Sequence, residues 1–222
     1  MGGGIDSTAF EMEAMLRRNQ KTTALVFLLF SVFLLPLFAQ SRKLDWLIVP
    51  GVRAGGITPK SRLSDLVATY GAKNVLEKDI DEGEGSFVKG AVIYPEDSNK
   101  MAELVWRDPE HKRFVQWIRW RGKKTVWKTV QGITLGTRLK EVERLNGKPF
   151  TVTGSGYDYS GTVISWQKGK LEKAFQANGR VILRLGVGRA PGLMVGDREL
   201  RSSHPELQKM NPEIDEIILE FK

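Results

Sequence analysis

Apolar residues recur at the spacing of an α-helix in two short stretches, residues 63–70 and 139–145. The first stretch is apolar at positions i, i+3, i+4 and i+7, and the second keeps a thinner version of the same stripe. A hydroxyl residue suited to an N-cap precedes each stretch, and a glycine suited to a left-handed C-cap follows it. These residues are Ser61 and Gly71 in the first case and Thr137 and Gly147 in the second. The pattern predicts two short capped helices.

Most of the remaining chain has the pattern of β-strands. Alternating or β-rich runs, separated by turn residues, cover residues 101–106, 113–121, 124–130, 180–187 and 213–221. A last short helix is predicted over residues 203–210, where Ser203 and Glu206 make a capping box and Pro205 suits an early helical position. Few helices and many antiparallel strands predict an α+β fold.

The two helical stretches belong to a longer internal repeat. "GITPKSRLSDLVATYG" begins at residue 56 and aligns without a gap with "GITLGTRLKEVERLNG", which begins at residue 132. A second match joins "GAVIY" (90–94) to "GTVIS" (161–165), and Lys100-Met101 to Lys170-Leu171. Each unit is predicted to run helix, glycine-rich loop, strand, turn, strand. We therefore expect two tandem related units, residues 46–131 and 132–222, each a capped helix packed on antiparallel strands of a shared or continuous sheet.

The first 39 residues have the layout of a signal peptide. Arg17, Arg18 and Lys21 precede an apolar run from Ala24 to Ala39, which is shorter than the roughly 20 apolar residues that a spanning helix needs. An uncleaved N-terminal anchor formed by residues 24–39 is the alternative. The protein is thus expected to be exported, to a periplasmic or extracellular location, with contact to a membrane only through this segment if it is not cleaved.

Composition narrows the classes of function. The chain has no cysteine, which excludes a disulfide framework, a lipidated cysteine and a thiolate nucleophile or metal ligand. The net charge is +8, and residues 1–39 contribute nothing to it, because their three basic residues balance three acidic ones. A basic exported protein is attracted to anionic envelope material such as acidic glycans or lipid headgroups, or serves its own solubility by its charge. Nucleic acid is not an expected partner of an exported chain.

The tandem units resemble known architectures. A Gly-x-Thr motif and a glycine-ended helix leading into antiparallel strands resemble the β-lactamase inhibitory protein and the outer-membrane assembly lipoprotein BamE. "GITLGTRLKEVERLNGKPF", "GYDYSGTVISWQKGKLE" and "WLIVPGVRAGGIT" resemble, over most of residues 46–222, an uncharacterised family of exported bacterial proteins. The chain lacks the lipidated cysteine of BamE-like proteins and the disulfides of the inhibitory protein, so the function of neither can be carried across. What the resemblance implies is a module that binds other molecules, with no cofactor and no known active site.

The stretch "RFVQWIRWRGKKTVWKTV", residues 113–130, contains the first candidate surface. If Gly122-Lys123 forms a two-residue hairpin turn, the apolar side chains fall on one face and the basic ones on the other. The apolar face would hold Phe114, Ile118, Trp120 and Trp127. The other would be a cationic binding face, consisting of Trp117, Arg119, Arg121, Lys124 and Lys128. The alternative interpretation is an ordinary solvated sheet face or a charge-protected edge.

Two loops were considered as further sites. "GSGYDYSG", residues 154–161, carries Tyr157, Asp158 and Tyr159, which could stack on and hydrogen-bond a sugar, or could simply shape a hairpin loop. "KDIDEGEG", residues 78–85, lacks the ligand spacing of an EF-hand calcium loop, so we interpret it as an acidic hairpin loop.

The sequence favours no catalytic or metal centre. The two histidines, His111 and His204, have no metal-binding spacing, and a nucleophilic triad is defined by geometry rather than by sequence proximity. The leading hypothesis is therefore an exported, non-catalytic binding module of the bacterial envelope that recognises a protein or an anionic glycan. A glycan hydrolase with a carboxylate pair and a structural module that only self-associates are the alternatives.

Overall fold

The structure is a computed structural model that describes residues 44–154, 159–176, 179–187 and 198–222. The predicted signal peptide and the loop residues Tyr157 and Asp158 lie outside the described residues. Leu44–Lys222 form one compact unit. Among the described residues, no helix combines the length and the apolar character needed to cross a bilayer.

Four α-helices and twelve β-strands make up the described part of the chain, and strand pairing is mostly antiparallel. The helices are α1 (Leu63–Tyr70), α2 (Leu139–Asn146), α3 (Lys170–Gln176) and α4 (Pro205–Met210). The strands are β1 (Leu47–Val49), β2 (Arg53–Ala54), β3 (Val75–Gly83), β4 (Ser86–Ile93), β5 (Ala102–Asp108), β6 (Arg113–Arg121), β7 (Lys128–Thr129), β8 (Thr151–Thr153), β9 (Val163–Ser165), β10 (Gly179–Leu185), β11 (Glu199–Arg201) and β12 (Ile214–Phe221). The fold is thus mixed α+β, as predicted.

One six-stranded sheet dominates the molecule, with strand order β10-β12-β6-β5-β4-β3. Strand β6 lies between β5 and β12, and it runs antiparallel to β12 with Arg119 opposite Ile218. The sheet therefore joins strands from both halves of the chain. Two three-stranded sheets, β2-β1-β7 and β11-β8-β9, accompany it, and the pair β1 and β7 is parallel.

Helices α1 and α2 begin with the same local contacts. The hydroxyls of Ser61 and Thr137 accept hydrogen bonds from the backbone N–H three residues earlier, at 2.9 and 3.0 Å. The N-cap residue of each helix is the arginine that follows, so the predicted N-caps are wrong by one position. Gly147 ends α2 in the left-handed conformation predicted for a C-cap glycine, with φ 79° and ψ 2°. Gly71 ends α1 with φ 85° but ψ 143°, so its predicted left-handed C-cap is wrong.

The main hydrophobic core lies between the helices and one face of the six-stranded sheet. Trp120 of β6 is fully buried there, and its ring centroid lies 5.3 Å from that of Trp127. The Trp127 side chain donates a hydrogen bond to the carbonyl of Lys100, which satisfies its only polar atom at 2.8 Å. Ile118 and Trp120 are buried as predicted, whereas Phe114, which has φ 59° at the beginning of β6, is exposed.

The predicted hairpin of residues 113–130 does not form. β6 is already paired with β5 on one side and β12 on the other, so the chain after Arg121 has no free edge to fold back on. It leaves the sheet, and Lys128–Thr129 instead pair with β1. Helix α3 likewise occupies residues 170–176, where the repeat predicted a turn and a strand.

A candidate binding groove on the open face of the sheet

The face of the six-stranded sheet opposite the main core carries a groove of about 570 Å³. Its floor includes Trp117 of β6, Ile218 of β12 and Ile182 of β10. Tyr159 and Ile164, from the loop before β9 and from β9 itself, stand at its wall and are both exposed. The groove therefore combines apolar and aromatic surface with access to solvent.

A ladder of alternating charges crosses the strands on this face. We use the name charge ladder for Glu103, Arg119, Arg121, Glu216 and Arg184, which lie on β5, β6, β12 and β10. Glu103 pairs with both arginines of β6, at 2.9 Å to Arg119 Nε and 3.0 Å to Arg121 Nη2. Glu216 continues the ladder, 3.9 Å from Arg121 Nε and 2.8 Å from Arg184 Nη1. Each cation of the ladder thus faces a carboxylate of the same chain.

One acid of the charge ladder, Glu216, has a raised pKa. Its side chain is buried, and this burial raises its pKa above the ordinary value for a glutamate. The positive charges of Arg184, Arg119 and Arg121 act in the opposite direction, in that order of size, and Asp215 adds to the rise. The carboxylate is therefore held in place by the arginines around it.

The hairpin of β3 and β4 fixes the other end of the groove. Arg119 donates from Nη2 to the carbonyl of Asp81 at 2.7 Å, and the Trp117 indole N–H donates to Glu82 Oε1 at 3.2 Å. The guanidinium of Arg119 also lies over the Trp117 ring, 5.0 Å from its centroid. Ile80, fully buried, packs with Val92 and Val105 on this same face of the sheet, in a second hydrophobic cluster. The tip of β3 is thus bent onto the sheet.

Hydrogen bonds also fix the backbone of Tyr159 at the wall of the groove. The carbonyl of Tyr159 accepts from the hydroxyls of Thr153 and Thr162, at 2.6 and 2.7 Å. Arg184 donates to the Thr162 hydroxyl at 3.2 Å, and its guanidinium lies 5.2 Å from the centroid of the Tyr159 ring. The ring is 54% exposed, so it is positioned by its backbone and remains available to a ligand.

Three of the eight sequence-predicted site residues line the groove: Trp117, Arg119 and Tyr159. Arg121 lies beside it on the charge ladder. Lys124 and Lys128 are not part of it, because they lie beyond the end of β6 and Lys128 belongs to β7. Tyr157 and Asp158 lie outside the described residues.

The two arginines of β6 do not supply free positive charge to this face of the sheet. Arg119 is buried and shares Glu103 with Arg121, so neither guanidinium presents an unpaired charge. The physical reason is the neighbouring strand, since Glu103 of β5 lies directly opposite Arg119 in the register of the sheet. Reversing Arg119 would thus disrupt the fold before it tested a partner.

The sequence analysis did not predict that β10 and β12 contribute residues to the groove. Opposite charges face each other across these strands, Arg180 against Glu220 and Arg184 against Glu216, with Ile182 paired to Ile218 between them. Arg180 and Glu220 form an ion pair at 2.9 Å at the rim of the groove. The signal was present as two alternating runs, "RVILR" and "EIILE", with opposite charges at matching positions.

The two carboxylates that line the groove in the described residues are engaged by neighbouring donors. Glu82 accepts from Trp117, and Glu220 pairs with Arg180. No group of three or more metal-ligating side chains occurs within the described ranges. What the arrangement offers chemically is a fixed, aromatic-lined surface with paired charges.

Comparison with known proteins returned no matching family model, no matching curated protein and no matching solved structure. The sequence resemblances described above therefore remain predictions. The function is argued below from the geometry of the groove.

Proposed function

We propose that the protein is an exported, non-catalytic binding module of the bacterial envelope that holds a segment of a protein partner in the groove. The observation that carries this proposal is the groove itself, whose exposed Tyr159 and Ile164 stand over a floor fixed by hydrogen bonds and ion pairs. Aromatic surface whose position is set before binding loses little conformational entropy on association.

The balance of charge favours a protein segment over an anionic glycan. Arg119, Arg180 and Arg184 line the groove, and each has an acidic partner among Glu103, Glu220 and Glu216. A polyanion would have to compete with these partners for the guanidinium groups. A polypeptide of mixed polarity would instead contact the apolar floor and accept or donate hydrogen bonds at the rim.

Export rests on the sequence of the first 39 residues. Their basic start, apolar run and small residue at Ala39 are typical of a signal peptide. We propose a periplasmic or extracellular location. If residues 24–39 are not cleaved, they anchor the protein to the membrane. The partner is then another component of the envelope.

Two tandem units, residues 46–131 and 132–222, form the proposed framework of the module. Support comes from the matching hydrogen bonds before α1 and α2 and from the way each helix meets a long strand. The first helical N–H donates to a backbone carbonyl just ahead of β6 in one case (Leu63 to Lys112, 3.0 Å) and of β12 in the other (Leu139 to Pro212, 2.8 Å). The pairing of β6 with β12 is consistent with two units that share one sheet.

The experiment that tests this proposal is capture from an envelope extract by the full chain. Tyr159→Ala combined with Ile164→Ser removes the exposed apolar wall, because these side chains are 54% and 42% exposed. We expect the double variant to capture a discrete protein partner at a level at least about tenfold below that of the wild type. Tyrosine is enriched among the few interface residues whose truncation costs about 2 kcal/mol or more, and about 1.4 kcal/mol corresponds to tenfold in affinity.

A matched control is available on the same chain. Val52→Ser with Val130→Ser removes two exposed apolar side chains, 51% and 59% exposed, that do not line the groove. The control should capture the partner as the wild type does. Equal loss in both variants, or undiminished capture by the groove variant, contradicts the proposal. Release of sugars from envelope glycan that is lost in Glu82→Gln or Glu220→Gln, the carboxylates that line the groove, would instead support the hydrolase alternative.

A further inference from the structure

Some lysines of the described residues form ion pairs, whereas others, among them Lys78 of β3 and four lysines near helix α3, do not. Around β3 to β6, Lys89 pairs with Asp79 at 2.7 Å, and Lys112 pairs with Glu77 at 2.6 Å. At the junction of α2 and α3, four exposed lysines have no carboxylate within ion-pair distance among the described residues. These four, which we name the lysine cluster, are Lys148, Lys168, Lys170 and Lys173.

Packing at the helix junction brings the lysine cluster together. The side chain of Lys170 lies over Gly147, where an added Cβ would be 3.5 Å from its Cε, and Lys148 is the next residue along the chain. Lys168 and Lys173 line one shallow depression of about 410 Å³. Asn146 locks this arrangement, because its side chain accepts from the Leu171 N–H at 3.2 Å and donates to the Trp166 carbonyl at 3.0 Å.

Three acidic residues lie near the lysine cluster, and one of them, Glu172, lines the same depression as Lys168 and Lys173. Glu143 of α2 accepts hydrogen bonds from the Ser202 hydroxyl and from the side chain of Gln208, at 2.5 and 3.3 Å. Glu141 is paired with Arg144 on α2. Glu172 accepts from the backbone N–H of Lys168 at 2.7 Å, which fixes the turn but contacts no ammonium group. The cluster therefore carries an excess of positive charge.

We propose that the lysine cluster docks the protein on an anionic lipid bilayer. Lysine ammonium groups on flexible stems suit the diffuse negative charge of a lipid surface, to which each nearby lysine adds attraction. The described residues that line the depression between Lys168 and Lys173 include no aromatic side chain, so they do not offer the stacking platform that sugars commonly use. The sequence also favours a membrane, since the apolar run Ala24 to Ala39 is expected to engage a bilayer during export.

This second surface is independent of the groove. The groove lies on the open face of the sheet, whereas the lysine cluster lies on helices and on the turns that join them. Favourable interaction of lysines with the carbonyl end of α2 is the competing role, and it would affect stability alone.

The test uses the full chain and vesicles of phosphatidylcholine with or without phosphatidylglycerol. The apolar N-terminal run contributes to binding on both, so the ratio of anionic to neutral binding isolates the electrostatic part. In a variant with all four cluster lysines changed to Gln, we expect this ratio to fall at least about tenfold, because each lysine near an anionic surface contributes about fivefold. Raising the salt concentration should lower the wild-type ratio as well.

Two controls separate the site from net charge and from stability. The variant Lys60→Gln, Lys73→Gln, Lys124→Gln, Lys128→Gln removes the same charge from exposed lysines elsewhere and should keep the ratio. Changing the four cluster lysines to Arg should also keep it, since the charge is retained. Thermal melting of each variant shows that the fold is intact.

The proposal is overturned if the cluster variant keeps the wild-type ratio or if the control loses as much. It is also overturned if binding that depends on the cluster is found with an acidic polysaccharide but not with anionic vesicles. Loss of capture by the groove variant has no bearing on either result.

Discussion

A single glycine allows the tip of β3 to reach the groove. A Cβ at Gly90 would lie 2.2 Å from the carbonyl oxygen of Leu104 and 2.5 Å from Cγ1 of Ile80. β3 can bend onto the sheet face only because this position has no side chain. The bend brings the Asp81 carbonyl to Arg119 and the Glu82 carboxylate to Trp117. The shape of the binding surface thus depends on a residue outside it.

Gly90→Ala is expected to lower the free energy of unfolding by about 3 kcal/mol, because overpacking a closed site forces the backbone apart. It should also change the fluorescence of Trp117 as the tip of β3 moves away. Urea unfolding and the native emission spectrum check both effects. Gly85→Asn is the control, since nothing lies within 4 Å of a Cβ there and asparagine tolerates its φ of +76°. If Gly90→Ala is as stable as the control, this explanation of the bend is wrong.

At the scale of elements, the paired strands β10 and β12 support both faces of the sheet. Val181, Leu183 and Leu219 point into the main core, and the alternate positions carry the charged and apolar residues of the groove. Cross-strand pairs of opposite charge set the register, because a slip by one residue would bury Arg184 in the core and expose leucines. The charge ladder therefore specifies strand pairing as well as groove shape.

Arg184→Gln is expected to destabilise the protein in a way that depends on pH. Glu216 is buried with a raised pKa, and losing its nearest cation raises that pKa further. For an acid whose pKa is higher in the folded state, stability is greatest below the unfolded pKa and is lost as pH rises through the folded pKa. The loss at neutral pH should be about 3 kcal/mol, the cost of leaving a buried charge unpaired.

Urea unfolding from about pH 4 to about pH 8 measures this effect. The difference between Arg184→Gln and the wild type should shrink as the pH falls, down to a constant part from the contacts of Arg184 with Thr162 and Tyr159. Adding Glu216→Gln should recover part of the loss at neutral pH. A difference that stays the same across the pH range would show that Glu216 is not held by Arg184.

At the scale of the whole molecule, the helices and strands that depend on local sequence pattern were predictable from the sequence. The helices α1, α2 and α4 and the strands β5, β6, β10 and β12 follow from periodicity, caps and turn residues. Helix α3 was missed because the repeat suggested a strand at Lys170-Leu171, and its seven residues give only a short periodic signal.

Pairing between distant segments was not predictable in the same way. β6 was expected to fold back on residues 124–130, but its second partner is β12, far along the chain. Trp117 and Arg119 were predicted from one face of that hairpin and Tyr159 from its glycine-rich loop, and the structure brings all three into one groove. Their partners Glu103 and Glu216 could be assigned only once the strand order was known.

The most direct test of the proposed function is site-specific photocrosslinking in the native envelope. A photoreactive amino acid is placed at Ile164 in the groove wall, or at Val130, which is exposed and lies outside the groove. A discrete protein adduct at Ile164, absent at Val130 and lost when Tyr159→Ala is added, is the result we predict. No adduct at Ile164, or the same adducts at both positions, would contradict a partner held in this groove.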